Sequence, residues 1–137
     1  MKSSYALLLL FALALLLTGC HSVLEIEMVN NTGQDLAIDS FDTQMKRTSY
    51  SLRAGETARI NVWYKLQILH GGETWDYHGP PVPPPLPKNF RKRIGVNRFL
   101  EKYQIGKDGA IYVLLPDSQR PTSDLPPQPS GYPVRPK

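Results

Sequence analysis

The chain has 137 residues, sixteen Lys and Arg against twelve Asp and Glu, and one cysteine, Cys20. That length holds one domain with a modest core and no second one. A lone cysteine excludes an internal disulfide framework and a multi-thiolate metal site, so stability must come from apolar packing. Placement says more than totals: residues 88–107 hold seven bases and one acid, while six of the thirteen prolines fall in 80–87 and the other seven in 116–137. These clusters divide the chain, and no internal repeat is evident between them.

The first segment reads as a leader. Lys2 supplies a positive start, and Ala6 to Leu17 is an apolar run of twelve residues holding nothing more polar than alanine, the layout of a secretory signal. A hydrocarbon core of about 30 Å needs about 20 apolar residues as a helix, so this run is too short to span comfortably. It ends in Leu17-Thr18-Gly19-Cys20, an aliphatic residue, two small ones and a cysteine. Together with the charge and length before them, these residues resemble the lipobox of bacterial lipoproteins. The resemblance covers residues 1–20. It implies that the Cys20 thiol receives a diacylglycerol, that the signal peptide 1–19 is removed, and that the new amino terminus is acylated, leaving 20–22 as a lipidated start. Stable anchoring takes at least two chains, each buried methylene contributing roughly 0.8 kcal/mol. In the family pattern an aspartate after the cysteine favours the inner membrane; His21 and Ser22 stand here, which implies the outer membrane, periplasmic side.

From Val23 the pattern is alternation. Leu24, Ile26 and Met28 would face one way and Glu25 and Glu27 the other, as in a half-buried strand. Asn30-Asn31-Thr32-Gly33 reads as a turn, and Leu36 and Ile38 begin a second strand, so the two make a hairpin. Asp39 to Lys46 has no period and loops out. Tyr50 and Leu52 resume alternation, Arg53-Ala54-Gly55-Glu56 is a turn, and Ala58, Ile60 and Val62 alternate again. Gly71-Gly72 can supply the positive φ angles of a two-residue hairpin loop, which sets His70 opposite Glu73, Ile68 opposite Trp75 and Leu66 opposite Tyr77. One face is then Leu66, Ile68, Trp75 and Tyr77, and the other is mostly polar.

Pro80 to Pro87 cannot donate the hydrogen bonds of an interior strand and reads as an extended crossover. Val96, Phe99, Leu100 and Tyr103 then sit at helical spacing with Asn97 as a cap, predicting one short helix near 96–103 that leads into a strand. Gly106-Lys107-Asp108-Gly109 is a hairpin loop, and Ile111, Val113 and Leu115 alternate beyond it. Residues 116–137 are polar and proline-rich, too poor in apolar side chains to offset ordering entropy, and read as a disordered tail. The expected fold is mainly β: a single domain over 23–115, a small antiparallel β-sandwich or partly open barrel, interrupted by a proline-rich and basic insertion at 79–98. The alternation resembles immunoglobulin-like envelope domains, without their cysteine-tryptophan-cysteine hallmark.

Few residues could carry chemistry. His70, Glu73, Asp76 and His78 lie close in sequence, but the hairpin puts the two histidines more than about 20 Å apart, too far to share an ion. Asp35, Asp39 and Asp42 lack the glycine and terminal glutamate of a calcium loop. Neither a Gly-x-Ser-x-Gly elbow nor a phosphate-cradling glycine loop occurs. No catalytic residue, metal or cofactor is expected. The strongest functional candidate is the basic run Lys88, Arg91, Lys92, Arg93 and Arg98, continued by Lys102 and Lys107, as a contact for anionic headgroups or another envelope polyanion; nucleic acid would suit the charge but not the compartment. The proline segments are spacers or ligands for aromatic grooves, which Trp63 could join. These features predict a lipid-anchored, non-enzymatic envelope component that meets the membrane through its anchor and an envelope protein or anionic polymer through its basic segment or tail. The alternative is a small-ligand binding or inhibitor module with its site among loops such as 40–48.

Overall fold

The computed structural model describes residues 22–61, 64–78, 86–119 and 121–137. These form strands β1 (Val23–Asn30), β2 (Leu36–Phe41), β3 (Arg47–Leu52), β4 (Thr57–Ile60), β5 (Lys65–His70), β6 (Glu73–His78), β7 (Arg91–Gly95), β8 (Arg98–Ile105) and β9 (Ile111–Leu114), with one 3-10 turn at Lys88–Phe90. Two sheets result. One runs β4-β1-β8-β7, with β9 also paired to β8; the other runs β3-β2-β5-β6. The expected β-sandwich is therefore found, without a closed barrel.

Alternation builds the core. Ile26 and Met28 from β1, Ile38 from β2, Leu66 and Ile68 from β5, and Tyr103 and Ile105 from β8 are all fully buried between the sheets. Each such aliphatic side chain contributes about 1.5–3 kcal/mol on burial. The β5–β6 hairpin has the register its glycines dictate, His70 opposite Glu73 through Leu66 opposite Tyr77, with Gly71 at φ 57° and Gly72 at φ 87°. Lys107 and Asp108 turn between β8 and β9, which pair antiparallel from Ile105↔Ile111.

Four expectations are corrected. First, β1 and β2 are not a hairpin, because they lie in different sheets. The turn between them is an arch pinned by Asn30, whose Nδ2 donates to the carbonyls of Gln34 (2.7 Å) and Leu52 (2.9 Å) while its Oδ1 accepts from the Thr32 amide and hydroxyl. Both strands alternate equally well, so periodicity alone could not tell which partner each takes.

Second, no helix forms at 96–103. Arg98–Ile105 is strand β8, the centre of its sheet, paired in parallel with all of β1 from Val23↔Arg98 to Asn30↔Ile105. Asn97 caps nothing; its φ of 54° places it in the turn after β7. A strand hydrogen-bonded along both edges outweighs one helical turn, which is costly to nucleate. The β1–β8 pair is also the one parallel ladder among the described strands, and both strands are buried along most of their length, as parallel strands usually are.

Third, the basic segment is not an insertion loop. Arg91, Lys92 and Arg93 belong to β7, which pairs antiparallel with β8 through Arg91↔Glu101 and Arg93↔Phe99.

Fourth, the segment after Pro116 lies along the domain. The Gln128 side-chain amide accepts from the Val113 amide (2.8 Å) and donates to the Val113 carbonyl (3.0 Å), mimicking a paired strand. Val134 then exchanges two backbone hydrogen bonds with Ile111 (2.8 and 3.0 Å), and the Lys137 amide donates to Asp76 on β6. Tyr132 enters the core. The open edge of β9 is thus covered, which protects it from pairing with other chains. Thr122 and Gln104 also bond each other twice, amide to carbonyl, both at 2.9 Å. A few anchoring side chains, rather than average composition, hold this segment.

Candidate interaction surface

The leader, Cys20, Trp63 and all of residues 79–85, which hold most of the first proline cluster, lie outside the described residues. Among the described residues no helix is long and apolar enough to cross a membrane, and no group of three or more His, Cys, Asp or Glu is placed to hold a metal ion. His70 stands opposite Glu73 at the turn, and His78 opposite Lys65 at the far end of the hairpin. His70 stacks on Trp75 with ring centroids 4.3 Å apart. The three aspartates do not converge. Asp35 accepts from the Ala54 amide, Asp39 from the Ser49 hydroxyl, and Asp42 from the amides of Gln44 and Lys46 in its own turn. That tight turn occupies the 40–48 loop expected for a ligand.

The basic run is brought together by β7 and the start of β8, but most of its charge is answered locally. Arg91 donates to Glu101 Oε1 from Nε (2.8 Å) and Nη2 (2.5 Å), and its guanidinium lies 5.8 Å from the Phe99 ring centroid. Lys92 pairs with Asp117 at 3.0 Å. Arg98 bonds the Glu25 carboxylate, which Arg59 also reaches at 2.9 Å. Arg93 donates to the Gly95 carbonyl at 3.2 Å and stays exposed, as does Lys88. Lys102, by contrast, is buried on β8 beside Glu27 of β1. A continuous row of free cations along 88–107 is therefore absent from the surface; Arg91 in particular serves the interior.

Glu101 was missed in the sequence, although it is the single acid among seven bases in 88–107. Its side chain has no exposure, and its second oxygen accepts from the Tyr103 hydroxyl at 2.6 Å. Tyr103 in turn lies 3.5 Å, hydroxyl to hydroxyl, from Tyr132 of the C-terminal segment. Burial, followed by the Glu101 charge, pushes the Tyr103 phenol far above its ordinary range. The Tyr132 phenol is pushed up to about 12, mainly by burial, with the Tyr103 hydrogen bond acting against the rise. This chain of Arg91, Glu101, Tyr103 and Tyr132 is a structural network: both Glu101 carboxylate oxygens are hydrogen-bonded, and a fully paired buried charge is the condition under which such a group is tolerated.

Two surface grooves accompany this arrangement. One, of about 480 Å³, is lined by Leu115, Gln119, Thr122, Asp124 and Leu125. The other, of about 300 Å³, lies where β1 begins and β4 ends, among Val23, Leu24, Arg59, Ile60 and Asn61. Comparison of the chain with protein-family models, curated proteins and solved structures finds no match.

Proposed function

We propose that the protein is a lipid-anchored, non-enzymatic component of a bacterial cell envelope, held at the outer membrane by acyl chains on Cys20 and acting through contacts of its β-sandwich. The observation that carries this reading is the apolar run Ala6–Leu17 ending in Leu17-Thr18-Gly19-Cys20. A signal too short to anchor as a helix is followed by the one cysteine that lipids could use. The domain begins three residues later, at Val23. The absence of a serine elbow or phosphate loop from the sequence supports a non-enzymatic role.

The second reading, a ligand-binding module, has the 480 Å³ groove in its favour, since cavities from about 300 Å³ upward accommodate small ligands. Its polar groups are largely engaged: Thr122 bonds Gln104 through its backbone and Asp124 through its hydroxyl. This favours the first reading. Growth with labelled fatty acid tests it. Label should enter the wild-type chain and be lost in Cys20→Ser; a Cys20→Ser chain that still carries label defeats the assignment.

A further inference from the structure

We propose that the end of the sandwich at which β1 begins is a docking face for the anionic phospholipid surface in which the anchor is seated, with Val96 at the tip of the β7–β8 turn entering the headgroup layer. This rests on the reading of Cys20 as lipidated, and it adds which end of the domain meets the bilayer and through which residues.

Topology gathers the face. Because β8 runs parallel to β1 from Val23↔Arg98, the turn before β8 lies at the start of β1, and the Val23 amide donates to the Asn97 carbonyl at 2.7 Å. β4 is antiparallel to β1 and ends at this same end, Ile60 opposite Ile26. β5 of the second sheet begins at Lys65, five residues after β4 ends at Ile60, and the Tyr64 amide donates to the Phe41 carbonyl at 2.7 Å. The end of β2 and the β2–β3 turn therefore sit at this end as well.

The surface chemistry of that end is unlike the rest. Six large hydrophobic side chains are exposed among the described residues, and four of them are here: Val23 (51%), Met45 (54%), Tyr64 (53%) and Val96 (82%). Bases flank them. Arg93 lies beside the turn, Lys46 follows Met45 exposed, and Arg59 and Arg98 converge on the single carboxylate of Glu25. The acids of this end are Glu25, Glu27, which Arg59 also reaches at 3.7 Å, Asp39, which Arg47 pairs, Asp76, which Lys65 pairs, and Asp42, which its own turn engages; against these five stand Lys46, Arg47, Arg59, Lys65, Arg93 and Arg98, so a small basic excess remains. Apolar tips with an aromatic residue, ringed by bases, suit the boundary between headgroups and acyl chains.

The tether removes the choice of orientation. Two residues, His21 and Ser22, lie between Cys20 and Val23, and an extended chain gains at most about 3.6 Å per step, so the Val23 Cα stays within about 11 Å of the Cα that bears the lipidated side chain. Val96 and Asn97, bonded to the Val23 backbone through the turn, are held at the same level. A protein partner at this face would have to fit into that narrow gap.

The test uses the full-length lipidated protein in vesicles of phosphatidylethanolamine and phosphatidylglycerol. Acylated Cys20 has no free thiol, so Val96→Cys and, at the opposite end beside the β5–β6 turn, Glu73→Cys each offer one site for an environment-sensitive thiol dye. The dye at position 96 should emit to the blue, be quenched by brominated lipid, and be several-fold less accessible to iodide than the dye at 73. The shift should weaken in phosphatidylcholine vesicles. Equal iodide access at the two positions, with wild-type protein taking no dye, overturns the docking alone. Dye uptake by wild type shows a free Cys20 and overturns the anchor and the docking together. A blue shift seen in native envelopes but not in these vesicles assigns the face to a protein partner and likewise overturns the proposal.

Discussion

Arg91 and Glu101 stand directly across from one another on β7 and β8, with Nη2 2.5 Å from Oε1 and the carboxylate wholly buried. Removing the guanidinium would strand a buried charge, which typically costs about 3–5 kcal/mol. Arg91→Ala is therefore expected to destabilise the fold by that order in urea titrations, whereas Arg93→Ala, on the same strand but exposed, should stay within about 0.5 kcal/mol of wild type. Equal effects of the two would show that Arg91 is only a surface cation.

Tyr132 ties the C-terminal segment to the core, 9% exposed and packed with Ile111 and Tyr103. Truncating a buried aromatic to alanine costs about 3–5 kcal/mol, so Tyr132→Ala should lower the unfolding midpoint sharply and speed hydrogen exchange at the amides of Ile111 and Val113. Wild-type stability in that variant would return the segment to the disordered tail that its composition predicts.

The buried phenols set the alkaline limit. In the unfolded chain a tyrosine loses its proton near pH 10, while folded Tyr132 holds its proton to about 12 and Tyr77 and Tyr103 are raised further, chiefly by burial. Folded-state pKa values above the unfolded one mean that stability is complete below about pH 10 and falls as pH rises through the window above it. The melting temperature should be level from pH 7 to 9 and decline beyond 10, with a shallower decline in Tyr132→Phe. An unchanged alkaline slope in that variant would show that Tyr132 is not among the groups responsible.

Asn30 is fully buried, and its side chain makes four hydrogen bonds that join β1 to the arch and to Leu52. Asn30→Ala leaves the carbonyls of Gln34 and Leu52 without these donors, at about 1–3 kcal/mol for an unsatisfied buried group. A loss in that range is expected in thermal unfolding, and a neutral result would remove Asn30 as the hinge of the crossing.

What was legible in the sequence follows from which signals are local. The β5–β6 register was readable pair by pair because Gly71-Gly72 fixes the loop and each side chain's face follows by alternation. The β1–β8 pairing was not, since a parallel ladder joins residues about 75 apart and leaves no turn signal between them. That hidden pairing also disguised the surface. Val96, Phe99, Leu100 and Tyr103 mimic a helical stripe, yet in a strand they separate: Tyr103 lies in the core and Val96 stands free at the tip. The run of bases was visible, but Arg91 was assigned outward because its partner Glu101 becomes a neighbour only once β7 and β8 pair. The C-terminal segment was misjudged because average composition hides three anchoring residues, Gln128, Tyr132 and Val134.

The reading of location depends on one sulfur atom near the start of the mature chain. Mass analysis of the N-terminal peptide from protein extracted from its own membranes addresses it without any variant. The account predicts a peptide that begins at Cys20 and carries a diacylglyceryl thioether together with an amide-linked fatty acid. A peptide that still contains Leu17-Thr18-Gly19, or one bearing an unmodified thiol at position 20, would contradict it.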